Sequence, residues 1–320
     1  MTSRKIRIAT RSSDLALRQA KIVEDALAAR GVECELVTFK TTGDKKLDEP
    51  LSEIGAKGLF TAELEKALTK KKVDCCVHSL KDLPTELPDS LETGAILKRE
   101  DPRDVVVINS ITQSDSLAEL PAGSRVGTSS LRRRAQLIAL RPDLEVVELR
   151  GNVPTRLRKV DTAQVHAAIL AAAGLIRLDA RQHIREFLEP PAWLPAAGQG
   201  AIAVEIRGDD HEIRDLLRPL HHHETAISVE AERAFLRALE GGCQVPIGAL
   251  AIRNANGALE LHGFVSDARG KDAVRGSIIV DETNHEESGR RLAADLRTRG
   301  ASSLLMEIRS SAPLIAPQPE

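Results

Sequence analysis

The strongest constraint on the fold is the order in which two periodicities alternate along the chain. Short apolar runs predict strands near residues 5–10, 33–40 and 73–78, and segments of helical period between them predict helices over 13–30, closed by Gly31, and over 60–71. The alternation resumes after the charged segment Arg99–Asp104, with strands near 104–108, 124–127, 145–149 and 165–170. Repeated βα units leave both faces of a sheet to be covered by helices, so two α/β domains with mainly parallel sheets are expected. Pro190, Pro191 and Pro195 lead to Gly198-Gln199-Gly200 and another apolar strand, Ala201–Ile206, placed to return to the first domain. After about residue 222 the pattern changes. A helix over 224–239, a hairpin signalled by Asn254-Ala255-Asn256-Gly257, a strand near 273–280 and helices near 283–298 and 302–308 read as a small α+β domain. The expected division is 1–100 completed by a return segment 200–219, then 101–199, then 220–320.

At 320 residues each of these units is large enough to bury its own core. No uncharged stretch reaches the ~20 apolar residues of a membrane helix, and Arg7 interrupts any apolar run near the N-terminus, so a cytoplasmic chain without a membrane span is expected. Five Phe, one Trp and no Tyr leave little for base stacking, and the net charge of −2 gives no general attraction to phosphate polymers. Nucleic acid is therefore not an expected partner. The charge is unevenly spread, however: between Arg125 and Lys159 nine basic residues face only Asp143, Glu145 and Glu148. One region is built to meet anions. No heptad stretch or long apolar face asks for a partner chain, and a monomer is expected.

The residues that could carry chemistry each have two readings. Arg132-Arg133-Arg134 is either a solvated helix face or, with Arg150 and Arg156 near the end of the next strand, a carboxylate-binding cluster. His78-Ser79-Leu80-Lys81-Asp82 closes another strand, and its Lys-Asp pair is either a loop salt bridge or an anion-holding ammonium beside a catalytic carboxylate. Arg7–Ser13 and Arg125–Leu131 form a weak internal repeat of strand end, hydroxyl-rich turn and helix start. Their serines are either helix caps or part of an anion site. His221-His222-His223 lacks other ligands at metal spacing and reads as a hinge or cap. No P-loop pattern is present, and the cysteines offer neither zinc spacing nor a disulfide framework; no metal is expected. Cys34, Cys75 and Cys76 read as small strand residues. Cys243, in Gly241-Gly242-Cys243-Gln244-Val245-Pro246, sits where a thiol can reach out from a loop.

RIATRSS at 7–13, GAKGLF at 55–60, VHSLKD at 77–82, EDPRD at 100–104, VGTSSLRRR at 126–134, LRGNVPTRL at 149–157, LPAAGQGA at 194–201 and EGGCQVPIG at 240–248 together closely resemble the porphobilinogen deaminase (hydroxymethylbilane synthase) family, in the family's order and over nearly the whole chain. The resemblance implies two periplasmic-binding-protein-like α/β domains plus a small C-terminal α+β domain, with the active cleft between the first two. It implies a transferase of haem and porphyrin biosynthesis that joins four porphobilinogens head to tail with loss of ammonia, on a dipyrromethane cofactor held by a thioether, and then releases hydroxymethylbilane by hydrolysis. By motif, Cys243 would carry the cofactor and Asp82 would be the catalytic carboxylate. Arg11, Arg132, Arg133, Arg150, Arg156 and Arg177 would line the cleft, with Ser13, Lys81, Ser129 and Ser130 beside them. Each porphobilinogen brings an acetate and a propionate, so a growing chain needs a concentrated basic surface, in accord with the charge excess over 125–159. Within the motifs, Pro154 is expected to hold Val153 extended, and Cys75 and Cys76 stand where relatives carry small or aliphatic residues. The competing reading is a two-lobed receptor for a carboxylate ligand, which would share the fold. Dipyrromethane bound covalently to Cys243 would discriminate the two.

Overall fold

The structure, a computed structural model, describes residues 5–45, 60–240 and 245–310. Its strands are β1 (Ile6–Arg11), β2 (Cys34–Phe39), β3 (Cys75–Ser79), β4 (Leu91–Ile96), β5 (Asp104–Ile108), β6 (Arg125–Gly127), β7 (Glu145–Val147), β8 (Ala167–Ala171), β9 (Glu186–Leu188), β10 (Ile202–Arg207), β11 (Ile247–Arg253), β12 (Leu259–Ser266) and β13 (Ala273–Ile279). The helices are α1 (Asp14–Ala28), α2 (Thr42–Lys45), α3 (Ala62–Thr69), α4 (Leu131–Leu140), α5 (Val153–Asp161), α6 (Ala172–Arg177), α7 (His211–Leu217), α8 (His223–Ala238), α9 (His285–Leu296) and α10 (Ser302–Ser310).

Two five-stranded sheets carry the same plan, β2-β1-β3-β10-β4 and β7-β6-β8-β5-β9. In the first, β1 runs parallel to β2 and β3, while β10 is antiparallel to both β3 and β4. In the second, β6 is parallel to β7 and β8, and β5 is antiparallel to β8 and β9. The expectation of mainly parallel sheets holds in strand direction: in each sheet four strands run one way and only the inserted one, β10 or β5, runs against them, a reversal not expected from sequence. The cause is the pair of crossovers. The chain leaves β4 for the other sheet and enters it as β5, then leaves β9 and returns as β10, and each arriving strand inserts against the local direction. An apolar run buried on both faces reads the same in either direction, so its composition does not reveal this. The edge strands β4 and β9 were not expected: β4 has a mid-strand Gly94, and β9 is three residues long.

Helix α1 follows β1 because Ser13, in extended backbone, accepts a hydrogen bond from the Ala16 amide at 3.4 Å, and Ala16, Gln19, Ala20, Val23 and Leu27 then bury one stripe. The stripe closes on Ile6, Ile8, Val77, Val204 and Ile206 of the sheet. Val105 and Val107 pack on one face of the second sheet, Val106, Val126 and Ile169 on the other. Pro154 takes a position in the first turn of α5, where its missing N–H costs nothing, and Asn152 caps that turn through the Thr155 amide at 2.9 Å. Val153 therefore opens the helix instead of standing extended, which corrects the expectation made from Pro154.

The third unit is an antiparallel sheet, β11-β12-β13, under α8 and α9, with Phe235, Leu261, Leu292 and Leu296 at its centre. Asn254 closes the expected hairpin through Gly257 and Ala258. His222 is the cap of α8, accepting from the Thr225 amide at 3.2 Å, as a capping role for the histidine triplet required. Glu232 on α8, wholly buried, binds both crossovers and the third sheet. It takes Arg99 at 2.6 and 3.0 Å, the Gly198 amide at 2.7 Å and the Ala251 amide at 2.9 Å. The crossovers also touch directly where Glu100 donates to the Gly200 carbonyl at 3.1 Å. Gly200 has φ of 90°, and a Cβ there would lie 2.4 Å from the Glu100 oxygen, so only glycine fits.

Candidate active site

The parallel strands of the two sheets end at the residues singled out by sequence. Arg11 ends β1 and Ser13 caps α1; Ser129 and Ser130 follow β6 and Ser130 caps α4; Lys81 and Asp82 stand in the turn after β3; Arg150 follows β7, with Arg156 on α5; and Arg177 lies on α6 after β8. This is where open α/β sheets place ligands. The weak internal repeat is explained at the same time, because β1 and β6 occupy equivalent positions in the two sheets. Its serines do cap: Ser130 accepts from the Arg133 amide at 3.4 Å. Ser129 donates to the Leu149 carbonyl at 2.8 Å, tying the turn to the neighbouring strand end.

Two adjoining cavities lie here. The larger, about 510 Å³ including its open mouth, is lined by Lys81, Arg133, Arg156, Arg177 and Gln199 among others, and among the described residues no acidic side chain lines it. The smaller, about 290 Å³, is lined by Arg11, Phe60, His78 and Asp82. Gln19 and Ser79, hydrogen-bonded to each other at 2.8 Å, form the partition. Arg11 lies over the Phe60 ring at 4.3 Å. Among the described residues no hydrogen-bond donor engages the Asp82 carboxylate. Arg156 donates to the Gly151 carbonyl at 2.8 Å, Arg177 to the Gly200 carbonyl at 2.6 Å, and Arg150 lies 3.2 Å from Glu148.

Crowded cations leave an electrostatic signature. Burial pushes the Lys81 ammonium down to about 8, with Asp82 opposing and Arg133 adding to the shift. Burial likewise lowers Arg156 to about 10, Arg133 and Arg150 adding to it and Asp82 opposing. Arg177 falls to about 10 through burial, against the pull of Glu100. A carboxylate-bearing ligand would restore what these groups lose by leaving water.

Arg132 and Arg133 are each only 5% exposed, so the arginine run is no solvated face. Both reach inward to Asp104, at 2.6 and 2.7 Å, and Arg134 alone turns away, to the Val146 carbonyl at 3.4 Å. Arg132 also donates to the Leu194 carbonyl at 2.8 Å and does not line the cavities, whereas Arg133 does. Asp104 is the residue that sequence reasoning missed. The signal was available, since an aspartate heading the apolar strand Asp104–Ile108 must find a cation, and the Arg132–Arg134 run was there to supply one.

Cys243 lies outside the described residues, between Glu240 and Val245. Cys75 and Cys76 are buried in β3, and burial raises both thiols. Cys34, half-buried, rises to about 11 for the same reason, so these three are packing residues. Cys76, His78 and Glu205 bring metal-ligating atoms within 4.8 Å of one another. Within it the Cys76 thiol donates to the Leu64 carbonyl at 3.6 Å and His78 pairs with Glu205 Oε2 at 3.1 Å, while Glu205 Oε1 is buried without a hydrogen-bond partner among the described residues.

Comparison with known proteins agrees with this geometry. Residues 6–215 match the family model described as porphobilinogen deaminase, dipyromethane cofactor binding domain, and residues 226–298 match the one described as porphobilinogen deaminase, C-terminal domain. The chain belongs to the porphobilinogen deaminase family. The porphobilinogen deaminase of Syntrophobacter fumaroxidans is 50% identical over 310 residues, 96% of this chain and 99% of its own length. That of Moorella thermoacetica is 50% identical over 308 residues, 96% of this chain and 97% of its own. A solved nutrient-binding protein from Burkholderia cenocepacia bound to methionine is 12% identical, with a TM-score of 0.42 over 67% of this chain and 90% of that one. The fold is two α/β units, each built on a five-stranded sheet, with a small C-terminal α+β unit. As a family member the chain is a transferase of tetrapyrrole synthesis, using a dipyrromethane cofactor to make hydroxymethylbilane from porphobilinogen. No helix among the described residues is long and apolar enough to cross a membrane.

Proposed function

We propose that porphobilinogen units are joined in the cleft formed by the two cavities, with Cys243 as the attachment point of the dipyrromethane and Asp82 as the catalytic carboxylate. The observation that carries this reading is the lining of the larger cavity: among the described residues it has four cationic side chains, Lys81, Arg133, Arg156 and Arg177, and no acidic one. Such a lining suits a ligand that gains two carboxylates with every ring, and the dipyrromethane, a carboxylate-bearing pair of rings, fits it. When bound, that group supplies the pyrrole carbon on which the chain grows.

The protein's own residues then divide the work. Arg133, Arg150, Arg156 and Arg177 hold carboxylates by forked hydrogen bonds, and Arg11, steadied by Phe60, does so in the smaller cavity. Lys81 supplies a compact charge beside them. The capped N-termini of α1 and α4, at Ser13 and Ser130, and the turn at Ser129 offer backbone donors to the same groups. Arg132 acts from behind, through Asp104. When the substrate's methylene carbon loses its bond to nitrogen and ammonia departs, positive charge is left on the pyrrole. Asp82, whose carboxylate no donor engages among the described residues, faces that charge. A carboxylate at ~4 Å with an effective dielectric near 20 interacts by about 4 kcal/mol, worth roughly a thousandfold in rate if confined to the transition state.

The enzyme works as a monomer in the cytoplasm on this small molecule, without nucleic acid; the scarcity of aromatic side chains supports the last point. The test is the intact mass of the purified chain. The parent should carry an increment matching dipyrromethane, and Cys243→Ser should lose both increment and activity while staying folded. An increment retained on Cys243→Ser would move the attachment elsewhere, and none on the active parent would rule out a covalently held dipyrromethane.

A further inference from the structure

We propose that Asp104 is a positioning residue of the condensation site, fixing Arg133 directly and Lys81 through Gln199 in the orientation that meets substrate carboxylates. The inference rests on the reading of the cleft given above and adds the group that holds its cations in place. Asp104 heads β5, is 0% exposed, and touches neither cavity. Its two oxygens collect five donated hydrogen bonds. Oδ2 accepts from Arg132 Nη1 at 2.6 Å and from Trp193 Nε1 at 2.9 Å. Oδ1 accepts from Arg133 Nη2 at 2.7 Å, from Arg133 Nε at 3.1 Å and from Gln199 Nε2 at 2.8 Å. A carboxylate has about four lone-pair sites, so this one is saturated and its orientation is set.

Two consequences reach the cavity. First, the Arg133 guanidinium is held along one edge by Oδ1 and at Nη1 by the Ile169 carbonyl, at 2.9 Å, so it enters the cavity wall without rotational freedom. Second, the Gln199 amide has no choice of orientation. Its Nε2 faces two acceptors, Asp104 and the Pro102 carbonyl at 2.8 Å, which turns Oε1 toward the Lys81 ammonium at 3.2 Å. Were residue 104 a neutral amide, its NH₂ could face Gln199, and a flipped Gln199 would present a donor to a cation. The charged groups acting on Lys81 are Asp82 and Asp104, which favour its ammonium form, and Arg133 and Arg132, which disfavour it. Asp104 therefore both aims Lys81 and helps keep it charged.

The experiment compares Asp104→Asn, Gln199→Leu and Lys81→Arg with the parent, all as purified holoenzyme whose primer is verified by intact mass. The readout is kcat/KM for porphobilinogen against pH, which reports free-enzyme ionisations. Lys81 titrates near 8 and is a cation below that pH, so activity should fall as pH rises through it. Asp104→Asn should lose at least tenfold in kcat/KM at pH 7 and move the alkaline limb down by about half a unit or more. Gln199→Leu leaves the Asp104–arginine pairs in place and serves where Asp104→Asn does not fold; it should move the limb the same way. Lys81→Arg should abolish the limb. A merely structural residue would lower activity at every pH and leave the limb where it was, so a parental limb in a folded, primed Asp104→Asn or Gln199→Leu enzyme overturns the inference. If Lys81→Arg also keeps the limb, the assignment of Lys81 as a cleft cation falls with it; if Lys81→Arg abolishes it, only the role of Asp104 falls.

Discussion

Glu232→Gln should destabilise the protein severely, because one carboxylate holds four donors drawn from three parts of the chain. Oε1 accepts from Arg99 Nη1 at 2.6 Å and the Ala251 amide at 2.9 Å; Oε2 accepts from Arg99 Nη2 at 3.0 Å and the Gly198 amide at 2.7 Å. A glutamine offers one oxygen, and in either orientation its NH₂ faces two donors. Two buried donors lose their acceptor, at about 1–3 kcal/mol each, and the Arg99 guanidinium, its side chain 11% exposed, loses its counter-charge. The expected loss is about 3–5 kcal/mol, the range for breaking a buried pair from one side. Urea unfolding would be followed by far-ultraviolet circular dichroism and by emission of Trp193, the sole tryptophan, buried in the second domain. Coincident transitions license a free energy, and the denaturant slope checks that the unfolded reference is unchanged. Arg99→Met combined with Glu232→Met should cost less than the sum of the single changes, since neither charge is then stranded. A loss below about 1 kcal/mol for Glu232→Gln at unchanged slope would refute this account of how the crossovers are held.

Substitutions at two further positions test the cleft and the crossovers. Asp82→Asn keeps shape but removes the charge, so it should retain the primer on intact mass and lose at least tenfold in condensation rate, with Asp82→Glu between it and the parent; a primed Asn variant as fast as the parent would remove Asp82 from catalysis. Gly200→Ala should cost about 1–3 kcal/mol in unfolding free energy, because its Cβ would meet the Glu100 carbonyl at 2.4 Å and its φ of 90° is strained for any other residue; an alanine enzyme of parental stability would mean that the crossovers separate without cost.

The fold was legible where periodicity was strong and illegible where direction mattered. Helix α1 could be read from Ser13 and the Ala16-Ala20-Val23-Leu27 stripe, and the return of β10 from the apolar run after Gly200. The antiparallel insertion of β5 and β10 could not. Asp104–Ile108 is buried at every position and Ile202–Arg207 likewise, so neither carries the alternation that marks an exposed face, and pairing direction is decided by where the crossovers arrive. β4 and β9 escaped notice as edge strands, the buried positions of β4 (91, 95 and 96) following no alternation and β9 having one buried residue.

The site was legible as a set of motifs, but not as a division of labour, because a run of like charges says nothing about which members are already neutralised. Arg132, Arg133 and Arg134 are adjacent in sequence and equal in formal charge. On a helix, however, successive side chains point about 100° apart, so three neighbours meet three surroundings. One meets Asp104 and a carbonyl away from the cavities, one meets Asp104 from the cavity wall, and one meets a strand carbonyl. Burial raises the Asp104 carboxyl, yet the two guanidiniums overcome it and hold the group ionised far below the ordinary carboxylate range. A single anion thus balances one of two buried cations and leaves the surplus facing the cavity with Lys81, Arg156 and Arg177. The basic excess over 125–159 therefore overstates the charge offered to a ligand in that segment, while Lys81 and Arg177, which lie outside it, supply part of what the cavity presents.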